Sequence, residues 1–486
     1  MNPNHLDLDE IEDNIKQMFT IQKLLGKGSY GCVFSAIDVQ TKEQVAIKKI
    51  FRAFRNQTDA QRTFREVCFL HQLFDHDNII RLRKVIKSQN PNDLYLIFDF
   101  MEADLYMAIR KKVLQPIHFQ YIIYQILIAL KYLHSGGLIH RDLKPSNILI
   151  NRHSIIKLTD FGLARSVQEL DETIQIMTEN VATKSYRAPE VLLGSRNYSY
   201  PVDMWSVGCI LWEMINNKVL FQRGNQNIIK NIIEFLGIPN ENDILSFQTQ
   251  HSNDIKRYIS QISEDQTNQF QKIFDQIDPQ DPLASAYDFI QKCLRYNPNM
   301  RMTAEEALEH PYILPMRQMC KEQYNDVQFI TLKNDNIKYS VKEYIDTLDD
   351  FLNYQDGDIY KYYEQMQRRL IKSVDEVQQE VSEPQQQNNQ KINTQQYGPH
   401  MQILSVKIAQ YNNLCLFQPV NNKKKSFCLK EDDNNKFNKL IADSPYQQDQ
   451  KDKSRRQSLL TNISQCSSPY IQYPNKLNQQ FQFQQL

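Results

Sequence analysis

An acid, a cation, an amide and a second acid stand in this chain at spacings that suit phosphoryl transfer. They lie in His140-Arg141-Asp142-Leu143-Lys144-Pro145-Ser146-Asn147 and in Asp160-Phe161-Gly162. Asp142 can accept the proton of an incoming hydroxyl, and Lys144 can neutralise a γ-phosphoryl as charge develops. Asn147 and Asp160 can hold Mg2+ against the phosphates of ATP. A polar turn between two buried strands is the plain alternative. A match this long would arise that way on the order of one time in a hundred or less.

These groups need a nucleotide held against them, and the chain upstream supplies a holder. Only 12 glycines occur, yet three of them crowd into Leu25-Gly26-Lys27-Gly28-Ser29-Tyr30-Gly31-Cys32-Val33. Strand-like runs flank them, Phe19 to Leu25 and Cys32 to Asp38. The pattern describes a hairpin whose glycine-rich turn can approach phosphates closely. A dinucleotide-binding turn uses a similar glycine spacing, but a helix would follow its third glycine; here a second strand does. The next strand ends in Val45-Ala46-Ile47-Lys48. Lys48 suits the α- and β-phosphates and needs an acid to orient it. Asp59 to His71 reads as a helix, and Glu66 within it is the candidate partner. The strand before Phe100 leads into a polar linker, where backbone groups near Asp99 and Met101 could take an adenine edge. Phe98 would plug the back of that pocket.

Two further helices must carry the acidic loop. Phe119 to His134 places Ile122, Ile126, Leu130 and Leu133 on one face. Val202 to Trp212 is apolar almost all round, as a buried helix is. Asp203 inside it is the exception. A buried carboxylate needs donors, and the backbone around Asp142 is the expected supplier. Glu190, in Ala188-Pro189-Glu190, is expected to pair with Arg301.

Composition narrows the class. Lys and Arg number 57 and Asp and Glu number 57, so no net field argues for nucleic acid or an anionic membrane. The eight cysteines form no C-x-x-C pair, which argues against a disulfide framework or zinc site and for a reducing compartment. The start of the chain is acidic and lacks a signal-peptide apolar run. No uncharged stretch is long enough to span a bilayer. A soluble protein of the cytoplasm is expected, with nucleus or centriole and cilium as other addresses suggested by the resemblance described next.

Residues 19–313 resemble a complete protein kinase domain. The Pro145-Ser146-Asn147 form of the loop and Tyr186-Arg187-Ala188-Pro189-Glu190 resemble the group of cyclin-dependent and mitogen-activated protein kinases. Thr178-Glu179 followed by Val181-Ala182-Thr183 is similar to the extracellular-signal-regulated kinases. The run Phe54 to Glu66 resembles their atypical, long-tailed branch. The resemblance implies an α+β, bilobal fold: a small antiparallel β lobe with one helix, and a larger, mostly helical lobe. It implies a monomer using ATP and Mg2+ on protein substrates, at serine or threonine followed by proline. Arg187 would shape the site that receives the proline, and Thr183 would bond near Asp142 and Lys144. Phosphorylation of Thr178 would add about −1.5 to −2 charges for Arg65, Arg141 and Arg165 to receive.

The chain departs from that family pattern. Asn180 stands where the family has the second, tyrosine phosphorylation site, so control through Thr178 alone, by self-phosphorylation, is expected. Lys184-Ser185 replaces Arg-Trp before Tyr186. Beyond Pro311 no acidic docking cluster follows. Retention of Lys48, Glu66, Asp142, Asn147 and Asp160 favours an active enzyme over a pseudokinase scaffold.

The remaining organisation is read as an extension over 1–18, a C-terminal extension of the domain over 314–355, a helix within 356–383, and a Gln/Asn-rich tail over 384–486. Ser340 to Tyr344 resembles a segment that these kinases wrap behind the fold. The tail's composition cannot bury enough surface to fold, so disorder is expected there. It carries Ser444-Pro445 and Ser468-Pro469, which this activity could modify, and it is where regulatory partners would bind.

Overall fold

The computed structural model describes residues 11–28, 31–74, 76–167, 184–195, 199–222, 228–262, 267–320, 332 and 338–353. The expected helix within 356–383 and the tail beyond it lie outside these residues, as do Ser29, Tyr30, Thr178, Glu179, Asn180 and Thr183. The chain divides into two units, Met1–Asp349 with Asp443–Leu486, and Asp350–Ala442. Every contact given below lies within the first.

The small lobe is a five-stranded antiparallel sheet in the order β1-β2-β3-β5-β4. Its strands are β1 (Phe19–Gly28), β2 (Gly31–Asp38), β3 (Gln44–Ile50), β4 (Leu82–Lys87) and β5 (Leu94–Asp99). Between β3 and β4 runs the long helix α2 (Gln57–Gln72). It starts where Asn56 accepts a hydrogen bond from the Asp59 N–H at 2.9 Å, a side-chain N-cap. That places its start two residues earlier than the apolar pattern alone suggests.

Alternation along β3 sorts its side chains. Val45 and Ile47 enter a core with Phe34, Tyr95 and Ile97, and Lys48 falls on the opposite face. Two residues ahead of the sheet complete that core. Ile11 and Ile15 are almost fully buried, the latter on the short helix α1 (Asp13–Met18). Residues 11–18 are thus part of the small lobe's packing, although the sequence had marked 1–18 as an extension.

The large lobe is built on helices. The chain crosses into it through β6 (Ala103–Asp104) and α3 (Leu105–Arg110), then α4 (Pro116–Ser135). Short strands β7 (Leu138–Ile139), β8 (Ile148–Ile150), β9 (Ile156–Leu158) and β10 (Arg165–Ser166) frame the loops that follow. α5 (Pro189–Leu192) precedes α6 (Pro201–Asn216). α7 (Ile228–Leu236), α8 (Glu241–Ser246), α9 (Ser252–Ile259), α10 (Gln269–Phe274), α11 (Pro282–Cys293), α12 (Ala304–Leu308) and α13 (Leu314–Met319) complete the lobe.

α4 is buried on more than the expected face. Ile123, Leu127 and Ala129 are as covered as Ile122, Ile126, Leu130 and Leu133, because α6, α12, α13, β7 and β9 all pack on it. α6 is buried along nearly its whole length.

After residue 338 the chain returns to the small lobe as α14 (Val341–Asn353). The Tyr344 ring lies 5.6 Å from Phe64 of α2. Lys338 Nζ donates to Thr58 Oγ1 at 3.2 Å, and Asp349 pairs with Lys87 of β4.

Candidate active site

The acidic loop is held from below. Asp203, fully buried on α6, accepts from the His140 N–H at 2.9 Å and the Arg141 N–H at 2.8 Å. His134 Nε2 lies 3.0 Å from the same carboxylate. Burial alone would raise Asp203, but the bonds from His134 and the His140 backbone outweigh it and lower its pKa. Arg141, next to Asp142, sits in the left-handed region at φ 69°. Its N–H bond to Asp203 fixes that backbone. His140 Nδ1 accepts from the Asp142 N–H at 3.4 Å, so Nε2 carries the proton towards the Thr159 carbonyl, 3.1 Å away. One imidazole thereby ties Asp142 to the segment that ends in Asp160.

Asp142 itself is almost buried. Its Oδ2 accepts from Lys144 Nζ at 2.6 Å and Asn147 Nδ2 at 3.0 Å. Its Oδ1 is buried and has no hydrogen-bond partner among the described residues. Burial pushes the carboxyl up from its ordinary value; Lys144 pulls it down, and Asp160 adds to the rise. A carboxylate raised this way is a better proton acceptor. Asn147 also donates to the Asp142 carbonyl at 2.9 Å, so its amide nitrogen is committed and its oxygen faces other chemistry. Asp160 adopts φ 66° and ψ 66°, immediately ahead of the turn Phe161–Leu163.

Across the cleft, Lys48 Nζ meets Glu66 Oε1 at 2.6 Å. Burial would lower Lys48, yet Glu66 and Asp160 more than offset it and hold its pKa above the ordinary value. The ammonium is therefore fixed as a cation beside Asp160.

The glycine hairpin spans β1 and β2, which pair from Phe19 opposite Asp38 to Gly28 opposite Gly31. A side chain at Gly31 would put its Cβ 2.0 Å from the Lys49 carbonyl oxygen, so only glycine fits there. At Gly26 and Gly28 a Cβ would meet nothing within 4 Å. The packing of the chain itself therefore does not demand glycine at these two positions. Leu25 and Lys27 lie exposed on β1, while Cys32 is buried and Val33 half-buried on β2. At the back of the cleft Phe98 is buried. The Asp99 N–H donates to the Arg81 carbonyl at 3.3 Å, so any contact from Asp99 to an adenine edge falls to its carbonyl. Met101 is buried two residues on.

The activation residues are placed in part. Arg65 is buried on α2, beside Glu66, and α2 packs on the turn Phe161–Leu163. Arg141 Nη1 donates to the Leu163 carbonyl at 3.2 Å. Arg165 on β10 pairs with Ile139 of β7. The three arginines thus come from adjoining elements. Arg187 is buried. Glu190 and Arg301 form a bidentate pair at 2.6 and 2.7 Å. Sequence reasoning missed Glu213, a fully buried carboxylate that accepts from the Tyr186 hydroxyl at 2.5 Å. Its position one residue past the apolar run of α6 was the only signal.

A small antiparallel lobe, a helical lobe and this cleft between them define a class. The family model described as Protein kinase domain matches residues 19–313. Over 339 residues the chain is 47% identical to mitogen-activated protein kinase 15 of Xenopus laevis, covering 69% of this chain and 57% of that protein. It is 43% identical over 342 residues to extracellular signal-regulated kinase 2 of Dictyostelium discoideum, covering 69% of this chain and 90% of that one. Against mitogen-activated protein kinase 15 of Caenorhabditis elegans it is 41% identical over 347 residues, with 70% and 72% covered. The chain belongs to the mitogen-activated protein kinases, a serine/threonine-specific branch of the protein kinase family. ATP with a divalent metal ion is that family's phosphoryl donor. The match spans little more than half of the Xenopus protein. No helix among the described residues is long and apolar enough to cross a membrane.

Proposed function

We propose that this chain transfers the γ-phosphoryl of MgATP to serine or threonine followed by proline in protein substrates, and that its own phosphorylation of Thr178 switches it on. The observation that carries the transfer is the Asp142 carboxylate. One oxygen is held by Lys144 and Asn147, and the other is buried with no hydrogen-bond partner among the described residues. That second oxygen can take the proton of an incoming hydroxyl. Lys144, already at the carboxylate, is within reach of charge developing on the transferred group.

Asn147 and Asp160 would hold Mg2+, which would supply positive charge to neutralise the phosphates. The residues fit it: the amide oxygen of Asn147 and the carboxylate of Asp160 are hard oxygen donors, which suit that ion. Lys48, held as a cation by Glu66, would take the α- and β-phosphates. The open space over Gly26 and Gly28 suits a phosphate chain under the hairpin. Proline preference rests on Arg187, and single-site control rests on Asn180 in place of a tyrosine.

Two measurements test this. Labelling of a Ser-Pro peptide with MgATP should fall at least ~1,000-fold in Asp142→Asn, in line with removal of a positioned base together with its charge. Equal labelling by the variant removes the mechanism. Protein made in a bacterial host should carry phosphate on Thr178. Active protein without it shows that the single-site switch is wrong.

A further inference from the structure

β4 carries a bulge near its start. Leu82 pairs with Phe98 and Lys84 with Ile97, so Arg83 is an extra residue with no opposite number on β5. A bulge of this kind bends the strand and can re-aim a side chain at a site. Arg83 is aimed at Asp99, the last residue of β5: its Nε donates to Asp99 Oδ1 at 2.5 Å. Its Nη1 donates to a carboxylate oxygen of Glu43. The main chain adds to the grip, because the Asp99 N–H donates to the Arg81 carbonyl at 3.3 Å.

Glu43 is itself fixed. It closes the turn between β2 and β3, where its carbonyl accepts from the Asp38 N–H at 2.9 Å and its own N–H donates to Thr41 Oγ1 at 3.3 Å. Asp38 Oδ1 accepts from the Gln40 and Thr41 N–H groups at 2.8 and 3.0 Å. One planar guanidinium thus ties together a turn, a bulge and the end of β5, a task that suits the fork of arginine. The Arg83 and Asp99 side chains are 29% and 23% exposed, against 57% for Glu43. The bond to Asp99 is therefore the better shielded of the two and the stronger. A second cation near Asp99, Lys157, is committed elsewhere, since its ammonium donates to the Asp77 carbonyl at 2.9 Å.

We propose that Arg83 is a positioning residue for recognition of the base: it holds Asp99 so that the Asp99 carbonyl meets the exocyclic amino group of adenine, and Glu43 steadies it from the turn. The proposal rests on the reading that the Asp99 carbonyl takes the adenine edge. A residue has only two soft backbone rotations. With its N–H bonded to Arg81 and its side chain to Arg83, Asp99 is pinned on both sides of its Cα, and the carbonyl direction follows. Without Arg83 the Asp99 and Glu43 carboxylates would face the same spot with no cation between them, and their repulsion would swing Asp99 away. Neither Arg83 nor Glu43 takes part in the bonds described above for Lys48, Glu66, Asp142, Lys144, Asn147 or Asp160. Loss of Arg83 should therefore appear in binding of the base and leave the peptide alone.

Nucleosides separate the base from the phosphates. Adenosine and purine riboside differ only in the exocyclic amino group, and each is measured on the full chain as an inhibitor competitive with ATP. The wild-type chain should bind adenosine the more tightly. Arg83→Met should raise the adenosine Ki about three- to tenfold, as loss of one hydrogen bond does, and leave the purine riboside Ki and the peptide KM within about twofold. Glu43→Gln, at an exposed position that does not threaten folding, should raise the adenosine Ki about twofold. A wild-type preference for adenosine that survives intact in Arg83→Met overturns the proposal while leaving the Asp99 reading in place. Equal rises for the two nucleosides, or a rise shared by the peptide KM, also overturn it, because they mark a deformed cleft and not a displaced carbonyl. If the wild-type chain binds both nucleosides equally, the Asp99 reading itself fails and the proposal falls with it. An adenosine Ki unchanged in Glu43→Gln overturns the part given to the turn.

Discussion

Asp203 and Glu213 are both carboxylates buried on α6, and only one of them was legible. Asp203 interrupts a run of apolar side chains, so its need for donors follows from the cost of burying a charge. The donors are the backbone N–H groups of His140 and Arg141. Glu213 lies at the edge of the run, where a glutamate ordinarily faces water. Nothing local announces that Tyr186, 27 residues away, will cover it. The same contrast holds at the cleft: Lys48, Asp142, Asn147 and Asp160 stand out by type and spacing, while the burial of Asp142 Oδ1, without a hydrogen-bond partner among the described residues, emerges only from packing.

The lowered pKa of Asp203 makes a stability prediction with a sign. Its ionised form is favoured in the folded state, so its contribution is complete above the ordinary carboxylate value of about 3.9 and is lost as pH falls through its lower folded value. Asp203→Asn keeps the shape but turns an NH2 towards a backbone donor. It should cost about 1–3 kcal/mol at neutral pH. Urea unfolding at several pH values should show the gap from wild type narrowing below about pH 4. A gap that stays constant down to pH 2 would mean that Asp203 is not ionised in the fold.

Among the elements, strand and helix positions followed from alternation and capping, but packing partners did not. β1 carries two register irregularities, between Ile21 and Lys23 and between Leu24 and Gly26, which a period of two cannot foresee. α1 is only six residues long. Two isoleucines four apart are too short a pattern to separate a helix from an extended tail. Its weight is nevertheless large, because Ile15 is completely buried against Phe34, Val45 and Ile47. Ile15→Ala should cost the small lobe about 2–4 kcal/mol. Both tryptophans of the chain, Trp205 and Trp212, lie on α6 in the large lobe, so fluorescence would miss the change. Amide hydrogen exchange should instead speed up across β1, β2 and β3. Unaltered protection there would show that α1 only rests on the sheet.

Over the whole molecule, the chain's last described helix closes back onto its first long one. Ser340 to Tyr344 signalled a returning segment only by resemblance. A contact between residues 280 apart leaves no trace in local pattern, and the anchor Phe64 read simply as an apolar position on α2. The consequence reaches the cleft, because Phe64 is two residues before Glu66, the partner of Lys48. Tyr344 and Leu348 are buried, the former against Phe64 of α2, and Lys338 and Asp349 add polar contacts to α2 and β4. α14 therefore bears on the helix that orients the phosphate-binding lysine. Tyr344→Ala removes the ring contact and most of that burial. We expect α14 to open locally while the domain stays folded. Faster exchange in α14 should be accompanied by faster exchange in α2 and by an ATP KM raised about two- to fivefold, with the Lys48–Glu66 pair populated less of the time. Release of α14 with α2 exchange and ATP KM both unchanged would show the returning helix to be a passive cover.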